Sequence, residues 1–227
     1  MPGASSCLFR TSVGKKFLMA FSGFLLVGFL MAHLLGNLLI YLGPNAMNSY
    51  AEHLRNLGPL LWVARIILLT TVITHIVTAV QLTLENRAAR PVPYKAYEPV
   101  RTTYAARTMA MSGLIVLAFI VYHILHFTLK VTNPEISHGI DSLGRHDVYG
   151  MVVKSFQNPF IVLAYVVAQI LLAMHLAHGL SSLLQSLGIL KNECCRAKLQ
   201  CAARGFAALL FTGFISIPLS ILFGLVR

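Results

Sequence analysis

Residues 17–43 read FLMAFSGFLLVGFLMAHLLGNLLIYLG, a run that contains no Asp, Glu, Lys or Arg. About 20 mostly apolar residues are enough for a helix to cross the hydrocarbon core of a bilayer. Four further apolar runs follow at residues 60–84, 105–131, 159–187 and 205–226. The sequence therefore predicts an all-α integral membrane bundle of five transmembrane helices, built as one domain over residues 1–227.

The composition excludes an ordinary water-soluble domain. Hydrophobic residues make up 57% of the chain, charged residues make up 11%, and the mean hydropathy is +0.74. A soluble protein of this composition would lack the polar groups needed to cover its apolar surface. The bilayer must therefore solvate most of the exterior.

The formal net charge of +11 is distributed in a pattern that predicts topology rather than nucleic-acid binding. Basic residues concentrate before the first run and in the second and fourth connections, which lie on one side of a five-helix bundle. They are Arg10, Lys15, Lys16, Arg87, Arg90, Lys95, Arg101, Arg107, Lys191, Arg196, Lys198 and Arg204. The positive-inside rule then predicts a multi-pass protein of the cell's inner membrane, with a cytoplasmic N-terminus and Arg227 outside.

Four histidines lie inside the first four runs, one in each: His33, His75, His123 and His175. At about 1.5 Å per residue, His33 and His123 lie about 24 and 27 Å above the cytoplasmic ends of their helices. His75 and His175 lie about 22 and 24 Å below the outer ends of theirs. The depths predict two pairs, His33 with His123 near the outer face and His75 with His175 near the cytoplasmic face.

Histidine within a membrane span is costly and usually functional. A six-coordinate haem iron held by two imidazoles suits each pair, and the core of a helix bundle is a usual place for such a cofactor. For any single histidine, an interhelical hydrogen bond is the alternative. Zinc fits less well, because each pair lacks a third ligand at its depth. The pattern favours two haems and an electron path across the membrane.

Glycines within or beside the histidine-bearing runs agree with a bound macrocycle, which needs close approach. They are Gly23, Gly28, Gly36, Gly113 and Gly179. Helices in lipid use small residues at their contacts in any case, so this support is weak.

Four stretches carry a resemblance to a known family. Residues 14–58 (GKKFLMAFSGFLLVGFLMAHLLGNLLIYLGPNAMNSYAEHLRNLG) resemble the start of the dihaem cytochrome b membrane anchor of succinate:quinone and fumarate:quinone oxidoreductases. The likeness continues through THIVTAVQLTLENRAARP (Thr74–Pro91), SGLIVLAFIVYHILHF (Ser112–Phe127) and MHLAHGLSSLLQSLG (Met174–Gly188). It covers nearly the whole chain.

The resemblance implies a non-catalytic anchor subunit of succinate dehydrogenase or fumarate reductase in a respiratory chain. Such an anchor binds two non-covalent, bis-histidine b haems and docks a flavoprotein and an iron–sulfur subunit on its cytoplasmic side. Electrons pass through the haems between the iron–sulfur subunit and a membrane quinone, which we expect to be menaquinone. We also expect the whole complex to dimerise. The family's first and third helices hold one haem and its second and fourth hold the other.

Two helices carry rival histidines, because His126 follows His123 by three residues and His178 follows His175 by three. Each rival lies on nearly the same helix face as its neighbour, so either can ligate. In the family, the third-helix ligand stands ten residues after a Ser/Thr-Gly pair, which selects His123. The fourth-helix ligand stands four residues before a glycine, which selects His175. His126 and His178 are then candidates for contacts with haem propionates or quinone.

Four further residues are candidates for the site, and for the first three an ordinary structural role is the alternative. Glu52 and His53, in the first connection, can exchange protons with a quinone or can lie in a solvated loop. Arg65, about five residues into the second run, can pair with a haem propionate or can extend to the water interface. Gly23 is a candidate for close approach to a cofactor.

The cysteines predict no covalent or iron–sulfur chemistry. Cys7, Cys194, Cys195 and Cys201 form neither a Cys-x-x-Cys nor a Cys-x-x-Cys-His motif, so we expect free thiols and b-type haem. The second connection, residues 85–107, mixes prolines and tyrosines with basic residues. That composition is typical of a protein-docking surface, with contact to lipid headgroups as the alternative. We expect the third connection, residues 132–158, to cover the outer mouth with a short interfacial helix.

Three other classes of membrane protein are alternatives to a dihaem anchor of this family. A cytochrome b of the bc type would place both ligands of each side on the same two helices, whereas here four helices carry one each. A dihaem subunit of another quinone-linked dehydrogenase is the nearest alternative. A secondary transporter with histidine proton relays is the alternative of a different kind, and the sequence lacks the inverted repeats and broken helices expected of it.

Overall fold

The computed structural model describes residues 11–89, 107–188 and 193–227. Five helices in these ranges are long and apolar enough to cross a membrane, so the protein is a multi-pass membrane protein with an all-α bundle. The spanning helices, numbered in chain order, are Ser12–Leu38 with a 3₁₀ extension Leu39–Leu42, Pro59–Ala88, Met109–His123 with a π-helical extension Ile124–Thr128, Pro159–Ser186, and Glu193–Leu222. The predicted fold class is confirmed.

Helix boundaries differ most from the sequence prediction at the fifth helix. The apolar run starts at residue 205, but the helix starts at Glu193. The intervening residues include Arg196, Lys198 and several alanines, which favour helix while being too polar for the bilayer core. Hydropathy therefore marks the membrane-embedded part of this helix and misses the turns that extend beyond it.

The first connection is helical over Pro44–Asn56, so Glu52 and His53 lie on a short helix rather than in a loop, and both side chains are exposed. Glycines with positive φ precede both Pro44 and Pro59, at Gly43 (φ 90°) and Gly58 (φ 53°). Glycine tolerates this backbone region, and proline is favoured in the first turn of a helix, where its missing N–H costs nothing. Each Gly-Pro pair therefore reverses the chain and begins a new helix.

The third connection contains short helices at Pro134–Ser137 and Val148–Phe156. Asp147 caps the second of these, because its Oδ1 accepts from the Gly150 N–H at 2.9 Å. The helix that the sequence predicts in this connection is present, but most of its side chains are buried rather than interfacial. It packs beside the Pro44–Asn56 helix and closes one end of the bundle.

The apolar core lies on one side of the bundle, between the first, fourth and fifth spanning helices. One cluster contains Leu34, Leu176, Ala207 and Leu210, and a larger one at the end covered by the third connection contains Ile40, Val152, Phe156, Val162, Tyr165, Ile217 and Ile221 among others. The most apolar stretch of the fifth helix is 33% buried, whereas that of the second is only 6% buried. The second helix packs mainly along the first, and Lys15 and Glu85 form an ion pair between them.

Candidate functional site

The structure brings the four span histidines together as two pairs. The ring centres of His33 and His123 lie 5.7 Å apart, and those of His75 and His175 lie 6.4 Å apart. All four side chains are half-buried. This is the pairing that depth along the helices predicts, whereas a ligand role for these histidines stays a prediction.

The distance between the pairs follows from contacts along two helices. Ser22 contacts His75 and Ser112 contacts His175, and each serine stands 11 residues before the histidine of its own helix. Eleven residues of α-helix rise by roughly 16 Å. The two pairs therefore lie at opposite ends of the bundle, separated by roughly 16 Å along its axis.

The ring-centre separations of both pairs suit two imidazoles that bind one metal ion. Imidazole nitrogens bind metal ions at about 2 Å, so two imidazoles on opposite sides of one ion have ring centres roughly 6 Å apart. The observed separations of 5.7 and 6.4 Å agree with this spacing. Among the described residues, no group of three or more His, Cys, Asp or Glu side chains is placed to hold a metal ion.

The Ser22 hydroxyl contacts His75 from the first helix. It lies 3.1 Å from the Met19 carbonyl, to which it can donate, and 3.1 Å from His75 Nδ1. When it donates to the carbonyl, its oxygen accepts from Nδ1–H, and Nε2 of His75 then keeps its lone pair. Orientation of a ligating histidine by its second nitrogen is the usual arrangement at metal sites.

The partner imidazole is held in the same way from the third helix. The Ser112 hydroxyl donates to the Met109 carbonyl at 3.1 Å, and its oxygen lies 3.3 Å from His175 Nδ1. In the same arrangement of protons, Nε2 of His175 also keeps its lone pair. Both serine contacts are interhelical hydrogen bonds, which are the alternative role of a single histidine in a span.

The glycine after each serine lies beside the imidazole that the serine contacts. A Cβ atom at Gly23 would lie 3.4 Å from His75 Cε1, and one at Gly113 would lie 3.5 Å from His175 Cε1, which are ordinary van der Waals distances. The approach of Gly23 to a cofactor stays a prediction. The other three glycines differ: Gly36 packs under the Tyr50 ring, whereas Gly28 and Gly179 have nothing near their missing Cβ.

The serines are functional candidates that the sequence reasoning missed. The signal is a repeat: Ser22-Gly23 precedes His33, and Ser112-Gly113 precedes His123, at the same spacing. The first two spanning helices and the next two thus form corresponding halves, and each half contributes one histidine to each pair. The unit of this repeat is a pair of helices, so it is longer than the 20 to 50 residues of most known structural repeats.

His33 is held by aromatic rings and by an amide. Its ring stacks on Phe29 with centres 5.3 Å apart, and Phe214 of the fifth helix lies at 6.1 Å. Asn37 Nδ2 donates to the His33 carbonyl at 2.7 Å and lies 3.3 Å from its Nε2. Because an amide nitrogen donates, Nε2 of His33 carries a lone pair that accepts from Asn37, and a metal would have to displace this contact.

His123 shares a tyrosine with its rival His126. The Tyr165 hydroxyl lies 3.2 Å from Nδ1 of His123 and 3.0 Å from Nδ1 of His126. His126 is completely buried, and its Nε2 has no hydrogen-bond partner within the described structure. It lies in the π-helical turn Ile124–Thr128, a distortion that is common at functional sites. His123 is the imidazole that meets His33.

On the fourth helix, His175 rather than His178 faces His75. His178 is half-buried one turn further along. Arg65 is exposed, and its guanidinium carbon lies 5.0 Å from the ring centre of Trp62, on the same helix. This cation–π contact at an exposed position favours the interface interpretation of Arg65. Contacts of His126, His178 or Arg65 with a haem stay predictions.

A polar pocket of about 170 Å³ opens where the first and third connections meet. It is lined by Ala51, Glu52, Arg55, Asn56, Gly144, Arg145 and His146. Glu52 therefore lines a pocket, whereas His53 is exposed and does not line this one. The volume is below the 300 to 1,000 Å³ typical of sites for drug-sized ligands, so it suits a small headgroup or water.

Neighbouring charges and hydrogen bonds shift the pKa values of two side chains around this pocket, Asp141 and His146. Desolvation opposes ionisation of Asp141, but hydrogen bonds from Arg145, the Leu143 N–H and Asn48 lower the pKa of Asp141 to about 2. Burial lowers the pKa of His146, as do the positive charges of Arg55 and Lys130. Nδ1 of His146 is buried without a hydrogen-bond partner among the described residues. Ionised carboxylates and basic side chains are therefore both present around this pocket, and the positive charges lie closest to His146.

Comparisons of the chain with models of known families, with curated proteins and with solved structures found no match. Several sequence predictions fall outside the described residues: Cys7, and the docking surface in the second connection except at its two ends. Nothing is described for the side chains of Cys194 and Cys195, and Cys201 is an exposed free thiol.

Proposed function

We propose that this chain is a dihaem cytochrome b that anchors a succinate dehydrogenase or fumarate reductase in the cell's inner membrane. One observation carries the proposal: two histidine pairs at different levels of the bundle have ring-centre separations that suit two imidazoles on one metal ion, and a serine hydroxyl lies beside Nδ1 of each histidine of one pair. The resemblance of the sequence to such anchors supplies the partners, a flavoprotein and an iron–sulfur subunit. Two b haems, when bound, supply one-electron transfer between the two ends of the bundle.

The residues of the chain then have distinct tasks. His75 and His175 bind one haem at the end nearer the N-terminus, where the iron–sulfur subunit would dock under the predicted topology. His33 and His123 bind the other haem. Ser22 and Ser112 orient the first pair through hydrogen bonds to Nδ1, and Asn37 and Tyr165 contact the second.

The polar pocket supports proton exchange near the His33–His123 pair. Quinone reduction and quinol oxidation move two protons, so the quinone site needs a carboxylate or an imidazole that reaches water. Glu52 lines the pocket with Arg55 and His146, and His53 is exposed on the same short helix. We assign the exchange of protons to Glu52 first and to His53 second, with menaquinone as the expected quinone.

The test begins with the intact complex purified in detergent. A pyridine haemochrome assay should give two b haems per chain, and a redox titration should resolve two midpoint potentials. Co-purified subunits with flavin and iron–sulfur clusters, and succinate:quinone activity, would identify the partner enzyme. A different dehydrogenase in the purified complex would favour the alternative of another quinone-linked anchor, and a chain without haem would favour the transporter alternative.

A further inference from the structure

The Tyr165 hydroxyl lies between the two imidazoles of the third spanning helix. It is 3.2 Å from Nδ1 of His123 and 3.0 Å from Nδ1 of His126. Tyr165 is 5% exposed and His126 is 0% exposed, so water does not compete for these bonds. Rings of Phe119, Phe127 and Phe156 surround the tyrosine, with centres 5.0, 6.0 and 4.9 Å from its own.

A single proton settles how these three groups share their hydrogen bonds. The hydroxyl has one hydrogen, and the two imidazoles are the only hydrogen-bond partners described for it. Since a buried O–H needs an acceptor, it donates to one imidazole and accepts from the other, and His123 and His126 then differ in protonation at Nδ1. In each arrangement, only the imidazole with a protonated Nδ1 keeps a free lone pair on Nε2, so only one of the two can bind a metal through that atom.

We propose that Tyr165 and His126 act as positioning residues for His123, holding it in the tautomer that binds iron through Nε2; this inference rests on the proposed function. His123 Nδ1–H donates to the Tyr165 oxygen, and the Tyr165 O–H donates to His126 Nδ1. His126 then carries its proton on Nε2, the buried atom that has no partner in the described structure. The reverse arrangement would leave the free Nε2 on His126, whereas His123 is the imidazole whose ring centre lies 5.7 Å from that of His33.

The packing around His126 explains why it supports the site rather than ligating. Its ring stacks on Phe127 with centres 4.0 Å apart and planes 23° from parallel, and it also contacts the Tyr122 ring at 5.5 Å. The π-helical turn that begins at Ile124 places it behind Tyr165. In a buried chain of hydrogen bonds, each bond polarises the next. The Tyr165 oxygen therefore becomes a stronger acceptor when the Tyr165 O–H donates a hydrogen bond to His126.

The consequence is a difference between the two haem sites. Donation from Nδ1–H increases the basicity of the ligating nitrogen, which favours the oxidised iron and lowers its potential. At the His75–His175 pair, each Nδ1 donates to a serine whose own proton goes to a backbone carbonyl. At the His33–His123 pair, the acceptor is a phenol that is itself bonded to an imidazole. The relay thus acts on one haem only.

The experiment measures both haem potentials in the purified complex for four variants. Tyr165→Phe removes the relay hydroxyl, and His126→Leu removes the acceptor behind it. His126→Asn should restore that acceptor, because the amide oxygen of asparagine can occupy the position of Nδ1. Tyr122→Phe is the matched control, because its ring also contacts Tyr165 and His126 but its hydroxyl has no described hydrogen bond to an imidazole.

We expect Tyr165→Phe to keep both haems and to raise the potential of one. Loss of one hydrogen bond should change the reduction equilibrium of that haem roughly three- to tenfold. At 59 mV per tenfold for one electron, this is about 30 to 60 mV. His126→Leu should shift the same haem in the same direction by less, and His126→Asn and Tyr122→Phe should leave both potentials at the wild-type values.

Other results would overturn the inference. Unchanged potentials in Tyr165→Phe, or equal shifts of both haems, would show that the hydroxyl does not act on His123. Loss of one haem in His126→Leu with haem retained in a His123 variant would make His126 the ligand. If Tyr165→Phe does not retain haem, the contrast between His126→Leu and His126→Asn decides. A wild-type chain without haem would instead refute the proposed function, so the two failures are distinct.

Discussion

The serine behind His75 gives the sharpest prediction about the histidine pairs. In Ser22→Ala, Nδ1 of His75 loses the acceptor 3.1 Å away, in a half-buried position between two helices. Without this acceptor, the tautomer of His75 with its proton on Nδ1 is less favoured. The imidazole is also free to rotate about its side-chain bonds. Both effects reduce the availability of Nε2 for a metal.

The size of the effect follows from what one orienting bond contributes at a metal site. Removal of such a partner typically lowers metal affinity roughly 10- to 100-fold, which corresponds to about 1.4 to 2.8 kcal/mol. Ser112→Ala should weaken the same haem by a similar factor, because Ser112 holds His175 of that pair. The double variant should lower the occupancy of this haem further and leave the other haem unchanged.

The assay is haem content per chain together with a redox titration that separates the two haems. Ser181→Ala is the control, since the Ser181 hydroxyl donates only to the Ala177 carbonyl of its own helix, at 3.0 Å, and no hydrogen bond to an imidazole is described for it. We expect full occupancy of both haems in the control. Full occupancy and unchanged potentials in the double Ser22 and Ser112 variant would refute the reasoning about tautomers.

Three further predictions test the ligands, the packing and the pocket. Alanine at one member of a histidine pair should remove one b haem and keep the other, as read from the visible spectrum of the reduced complex; the four positions are His33, His75, His123 and His175. Gly36→Ala should lower the free energy of unfolding, measured by thermal denaturation, by about 1 to 3 kcal/mol, because the new Cβ would lie 2.7 Å from the Tyr50 ring. Gly28→Ala should leave this free energy unchanged, because nothing lies near the new Cβ. Because the pKa of Asp141 is lowered from 3.8 to about 2, its stabilising contribution is complete above the unfolded pKa and is lost as the pH falls through about 2. The melting temperature of Asp141→Asn should therefore lie below that of the wild type by a constant amount above pH 5, and the difference should shrink in acid; a difference that grows in acid would contradict this assignment.

Features that depend on local sequence could be predicted without the structure. A span is recognised by the length of its apolar run, and a histidine is given a depth by its distance from the end of that run. His33 and His123 therefore fall at one level and His75 and His175 at another before any packing is known. The apolar run did not predict the part of the fifth helix between Glu193 and residue 205. Hydropathy shows which residues suit lipid and does not show how far the helix extends beyond them.

Other features arise only from contacts between distant parts of the chain. Ser22 and His75 are 53 residues apart, Ser112 and His175 are 63 apart, and Tyr165 and His123 are 42 apart. Which hydroxyl meets which imidazole depends on how two helices rotate against each other, and the apolar pattern of a lipid-facing helix specifies that rotation poorly.

The sequence by itself thus determined five membrane-spanning helices and the levels of four histidines, because length and rise along a helix are local properties. The tertiary structure decided which histidine of each neighbouring couple meets a partner and which hydroxyl lies beside its Nδ1. It also decided that Glu52 joins Arg145 and His146 at one pocket. Those outcomes depend on side-chain directions across helix interfaces, where a rotation by one residue, about 100°, would replace every contact.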